Sequence, residues 1–226
     1  MMTPPRLLLS VSTAFLALLL AGCETLPLSK PDGARTGPFY TPSNVRAAAR
    51  LPESVRRIVL LPCGAADIRI TEDTLRDLDR SLAAALTRSA RAEISTLDRA
   101  TLGRIAGRPN LLSTSVLPAD FLTRVSAATG ADAVLFVDVT AYSPYPPLVL
   151  GLRGRLIETK EAVSLWNFDN ILSTTDPAIV NSARARALKS TAGGSTPGDR
   201  SHAVLQNPLA FADYVADTAW ATLPPR

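Results

Sequence analysis

One stretch dictates more about this chain than any other: Ala131 to Val139, where Val134, Leu135, Phe136, Val137 and Val139 follow almost without a polar break. Successive side chains of a strand point to opposite faces, so an extended run apolar at both parities must be buried on both sides. It belongs at the centre of a sheet. Arg57-Ile58-Val59-Leu60-Leu61-Pro62 has the same character and is closed by Pro62 and Gly64. Two such strands separated by helical patterns call for a layered α/β arrangement.

The rest of the chain supplies the cover. Thr71 is an N-cap with Glu72 and Asp73 in the first turn, and Leu75, Leu78, Leu82 and Leu86 form one apolar stripe. Ala92 to Leu97 reads as a strand. Asp98 caps a short helix that carries Leu102 and Ile105 and ends at Gly107, and Phe121 to Ala128 form another that ends at Gly130. Tyr142 to Pro147 breaks the central run. Leu148 to Ile157 then alternates, with Leu150, Leu152 and Leu156 on one face and Arg153 and Arg155 on the other. A turn at Thr159-Lys160-Glu161 leads into Val163 to Leu172, which makes a long antiparallel hairpin, and we place Gly154 opposite Trp166. Asp176-Pro177 opens a further helix, Thr191 to Gly198 is a flexible loop, and Pro208 to Leu223 is a closing helix that docks through Phe211, Val215 and Trp220. The expectation is an α/β fold: one domain over residues 51–226, a mixed sheet with a long antiparallel hairpin, covered by amphipathic helices.

Ahead of it stand Arg6 and an apolar run from Leu7 to Leu20. That run is below the roughly 18 to 20 residues a spanning helix needs, so residues 1–22 read as a secretory signal. Leu20-Ala21-Gly22-Cys23 resembles the lipobox of bacterial lipoproteins. The resemblance implies cleavage before Cys23, acylation of its sulfur and a bilayer as permanent partner. Glu24, where that family uses Asp for inner-membrane retention, points to the outer membrane. Residues 23–50, with Pro27, Pro31, Pro38, Pro42, Gly33 and Gly37, read as a tether, its tail from Ser43 forming a short helix through the alanines. With Cys23 acylated, Cys63 is the one remaining thiol; it ends an apolar run and is expected to be buried.

Three further motifs carry a second resemblance. Arg57 to Pro62, Gly130-Ala131-Asp132-Ala133-Val134-Leu135, and Arg155 to Trp166 are similar to a group of periplasmic lipoproteins. It includes the curli secretion protein and the activators of peptidoglycan synthases, and shares its fold with the N-terminal domain of the Tol translocation protein. The group's hairpin turn has a glycine where this chain has Ala162. The resemblance implies binding to other envelope proteins and no catalytic residues.

The residues agree with that implication. A net charge of +4 with scattered basic residues does not describe a nucleic-acid binder. There is no phosphate loop, and the single histidine, His202, leaves neither a metal cluster nor a Ser-His-Asp arrangement to build. No cofactor or metal is expected. The candidate contact residues are Tyr142 and Tyr145 on the proline-stiffened bend, and Arg153 and Arg155 on the polar hairpin face. The tyrosines can instead fold back on the sheet, and the arginines can be solvated or paired with Asp169. The function expected is a membrane-anchored, non-enzymatic binding or assembly module. A subunit of a curli-type export pore is one alternative and a cell-wall hydrolase another.

Overall fold

The computed structural model describes residues 32–191 and 201–226; the signal, Cys23 and the loop expected at Thr191 to Gly198 lie largely outside them. In the unit from Gly33 to Arg226, seven strands form one sheet. They are β1 (Val45–Ala47), β2 (Arg57–Leu60), β3 (Gly64–Ala65), β4 (Glu93–Thr96), β5 (Ala133–Ser143), β6 (Val149–Glu158) and β7 (Ser164–Ser173). The order across the sheet is β1-β7-β6-β5-β2-β4, with β3 paired to the far end of β5. β5, β2 and β4 are parallel, whereas β5, β6, β7 and β1 are antiparallel, so the sheet is mixed. β5 sits at the junction, and its Ala133 to Val139 are all buried, as a run apolar at both parities requires.

Six α-helices complete the described residues: α1 (Gly33–Thr36), α2 (Glu72–Arg88), α3 (Arg99–Ala106), α4 (Phe121–Thr129), α5 (Pro177–Thr191) and α6 (Pro208–Trp220). The caps form as the side-chain chemistry predicts. Thr74 N–H donates to Thr71 Oγ1 at 3.2 Å and Thr101 N–H to Asp98 Oδ1 at 2.8 Å, and Gly107 and Gly130 end α3 and α4 in the left-handed region. Leu75, Leu78, Leu82 and Leu86 of α2 are buried, each contributing about 2 kcal/mol of apolar burial. α2, α5 and α6 pack on one face of the sheet, and α3 and α4 on the other. Cys63 is fully buried on the first; burial pushes its thiol well up, as a small core residue's should be.

On that first face Trp166 stacks on Phe168, with ring centroids 5.7 Å apart, and meets Trp220 of α6 at the same distance. Its Nε1–H donates to Thr222 Oγ1 at 2.9 Å, and Trp220 Nε1–H donates to Leu82 O at 3.2 Å. The hairpin register differs from the one expected. Gly154 pairs with Phe168, and Trp166 with Leu156. The indole nevertheless leans diagonally over Gly154, where a methyl group would come within 2.6 Å of Cη2.

The N-terminal segment departs most from expectation. Val45–Ala47 is a strand, not a helix, and pairs antiparallel with β7. An isolated alanine turn of that length has too few residues to offset helix nucleation, while the outer edge of β7 offers ready backbone partners. Tyr40 N–H donates to Ser182 Oγ at 2.8 Å, and Asn170 Nδ2–H to Asn44 O at 3.1 Å, which fixes the approach to β1. Among the described residues, regular structure thus begins at Gly33, inside the span read as tether. Residues 23–31 of that span lie outside the described ones. β5 also runs on to Ser143, so Tyr142 is a strand residue and the bend starts later than the sequence suggests.

The turn between β6 and β7 places Ala162 at φ +56°, a left-handed conformation in which a Cβ is strained. Ala162→Gly is expected to raise stability by about 0.5 kcal/mol, relief of strain outweighing the freer unfolded chain; urea denaturation checks it.

Candidate functional site

The two helix layers differ in extent. α3 and α4, with Leu111 from the loop between them, cover β2, β5 and the end of β6 through Val59, Val134, Phe136 and Ile157. They stop there. Among the described residues no helix covers the same face of β6, β7 and β1, and its side chains are those of a wetted surface. Ile171 is 58% exposed, and the side chains of Arg153 and Asp169 retain 35% and 39% of their exposure.

Antiparallel pairing arranges this open face in rows. One runs Asp138, Arg153, Asp169 across β5, β6 and β7. The next runs Phe136, Arg155, Asn167, Arg46 and continues onto β1. Arg153 Nε–H donates to Asp169 Oδ2 at 2.8 Å, the cross-strand pair anticipated as one alternative. Arg155 differs: its Nε is buried with no hydrogen-bond partner among the described residues. Arg46 is exposed and has no acidic partner there.

Asp138 builds the wall on the β5 side. Its fully buried carboxylate accepts Ser113 N–H at 2.9 Å and Ser113 Oγ–H at 2.5 Å, holding the loop before α4 against the sheet. Burial pushes this carboxyl up, against the Ser113 bonds and the Arg153 charge, which pull it down. Between wall and β1 lies a groove of about 380 Å³, floored by β6 and β7 and lined by Arg46, Arg153, Arg155, Asn167, Ser113 and Thr114. Three arginines face one surface carboxylate, Asp169, so the groove is a positive, hydrogen-bond-donating surface.

The structure places the two sets of contact residues expected from sequence apart. Tyr142 pairs with Leu150 and packs against the helix-covered core on the other face, and burial raises its hydroxyl. Tyr145, 78% exposed, stands at the bend. Arg153 and Arg155 share the groove. Arg46, Asn167, Ser113 and Thr114 were not anticipated, because they join the groove only through the β1–β7 pairing and the Asp138–Ser113 contact.

A second cavity, about 540 Å³, opens at the carboxyl ends of β2 and β4 between α2 and α3. Its charged lining is largely paired internally, Arg99 with Asp79 at 2.9 Å and Arg76 and Arg80 with Asp73 and Asp77. It offers no excess charge to a ligand.

No family model and no curated protein matches the sequence. Solved structures do resemble the chain at low identity. They include a PelC dodecamer from Paraburkholderia phytofirmans, at 11% identity and TM-score 0.47, covering 80% of this chain and 96% of that one. A lipoprotein from Neisseria meningitidis matches at 17% identity and TM-score 0.37 over 62% and 99% of the two chains. The C-terminal domain of LpoB from Salmonella enterica matches at 12% and 0.37 over 56% and 84%. The lipoprotein group that the three sequence motifs resemble is represented among these neighbours.

Proposed function

We propose that this protein is a lipid-anchored, non-enzymatic binding or assembly module of the bacterial envelope, held to the outer membrane through Cys23 and facing the periplasm. The observation that carries the reading is the asymmetric cover of the sheet. Among the described residues, helices cover one face of the sheet and the other only as far as β5 and the end of β6, leaving a walled, positively charged groove beyond them. An open, donor-rich face of this kind suits a protein partner better than a small substrate. Among the described residues no cluster of histidine, cysteine or carboxylate side chains is arranged to hold a metal, and no helix is long and apolar enough to cross a membrane.

The anchor and the groove are tested separately. Cys23→Ser is expected to abolish precursor processing and acyl labelling, both read on a gel; a variant that still matures and partitions with membranes overturns the anchor. For the groove, a photo-crosslinker replaces Thr114 at its rim, Tyr145 at the bend, or Asp73 on the exposed start of α2 as control. A discrete adduct from Thr114 in intact cells, absent from Asp73, is the expected result. Equal labelling at all three positions, or none at Thr114 and Tyr145, overturns the binding reading.

A further inference from the structure

We propose that the row Arg155-Asn167-Arg46 is a seat for a carboxylate, and that its occupant is an extended acidic segment of a protein partner. This rests on the binding reading above and adds the chemistry of what is bound.

A buried donor left without an acceptor is destabilising, the more so when charged, and Arg155 Nε is such a donor among the described residues. Its neighbour Arg153 is neutralised by Asp169, so Arg155 does not share that acid. Across Asn167 stands Arg46, whose charge is likewise unopposed among the described residues. Adjacent strands lie about 4.8 Å apart, which puts the Arg155 and Arg46 backbones roughly 10 Å from each other, with the Asn167 amide between them. Two guanidinium side chains at that spacing can close on one anion, each presenting a planar fork of donors matched to carboxylate geometry.

The form of the occupant follows from the rest of the face. From the Arg155 row the surface passes to the compensated Arg153–Asp169 row and then to Gly151–Ile171, where Ile171 is exposed. Rows on one face of a strand repeat about every 6.8 Å, so the carboxylate seat and the apolar patch are roughly 14 Å apart. An extended peptide running along β6 and β7 spans that distance in four residues. It would place an acidic side chain over Asn167 and an apolar one over Ile171, with a residue compatible with a neutral charge pair between them. A lipid headgroup supplies the anion but not the second contact along the sheet, and it would have to reach into a walled groove.

The test uses the full-length acylated protein in non-ionic detergent micelles and a fluorescent ten-residue peptide carrying Glu and, four residues on, Leu. Anisotropy is expected to show binding that weakens with salt. It should fall at least tenfold in Arg155→Gln and several-fold in Arg46→Gln, and be partly kept in Arg155→Lys. Arg88→Gln, remote from the groove and paired with Asp217, should leave it unchanged. A peptide with Lys in place of Glu should not bind. The proposal is overturned if the acidic peptide fails to bind at millimolar concentration, if the Arg46→Gln/Arg155→Gln pair binds it as well as the parent, or if phosphatidylglycerol in the micelles displaces it in an arginine-dependent manner. The crosslink from Thr114 separates the two levels. An adduct that persists undiminished in Arg155→Gln sinks the carboxylate seat while the binding module stands; loss of the adduct in that variant supports both.

Discussion

Gly154→Ala is expected to destabilise the protein by about 3 kcal/mol, a severe loss for one methyl group on a strand. Overpacking a core costs about 1–3 kcal/mol when neighbours can shift, and the upper end applies where they cannot. The obstacle here is the Trp166 indole, which lies across the position a Cβ would occupy, with Cη2 2.6 Å away. The indole is fixed on three sides: stacked on Phe168, against Trp220, and bonded through Nε1–H to Thr222. Moving it would disturb the docking of α6 as well as the hairpin. Urea denaturation of the single variants, of Trp166→Phe and of the double variant checks the mechanism. If the clash is the cause, Trp166→Phe removes the offending ring, and the double variant loses at least 1 kcal/mol less than the sum of the two singles. Strict additivity, or a Gly154→Ala loss below about 0.5 kcal/mol, would show that the contact is not what constrains the glycine.

That contact marks how far the sequence could be followed. Apolar periodicity found the strands and helices, because side chains buried on both faces of β5, or along one stripe of α2, leave a pattern in the chain itself. The caps at Thr71 and Asp98 and the stops at Gly107 and Gly130 were readable because each is a local hydrogen bond or a local backbone angle. The partnership of Gly154 with Trp166 was readable as chemistry but not as register: the contact is diagonal, because Gly154 pairs with Phe168, two residues beyond Trp166. β1 was missed because three residues carry no period, and what makes Val45–Ala47 a strand is the free edge of β7, more than 110 residues away in the chain. The groove inherited that blindness. Arg153 and Arg155 were visible as a polar face of an alternating strand, whereas Arg46 reaches them only through β1, and Ser113 only through Asp138. The sequence offered Tyr142 either as an exposed contact on the bend or as a ring folded back on the sheet; the pleat turns it to the covered face, the second alternative.

Removing the Asp138 carboxylate should be costly in a way that depends on pH, and Asp138→Ala and Asp138→Asn separate the two effects. In Asp138→Ala the Ser113 N–H and hydroxyl lose their acceptor inside a buried site, for an expected loss of about 3 kcal/mol and a loosened loop before α4. Asp138→Asn keeps an acceptor oxygen and the volume, and should lose less. Its informative property is the absence of titration. Burial raises the Asp138 carboxyl in the folded protein above its ordinary value of 3.8, with Asp169 adding to the rise and Arg153 opposing it. A carboxyl raised on folding contributes stability that is fully present below the unfolded value and is lost as pH rises through the folded one, since the folded state then binds more protons than the unfolded. The parent protein should therefore lose stability relative to Asp138→Asn as pH climbs from about 4, the gap between them narrowing until the folded carboxyl is ionised. Denaturation midpoints of both proteins over pH 4 to 8 measure this directly; a gap that widens with pH would mean that the Ser113 bonds and the Arg153 charge outweigh burial. The same series bears on the groove. Ionised Asp138 faces Arg153 together with Asp169, so any gain in peptide affinity in Asp138→Asn at neutral pH measures how far the buried carboxylate tempers the positive face.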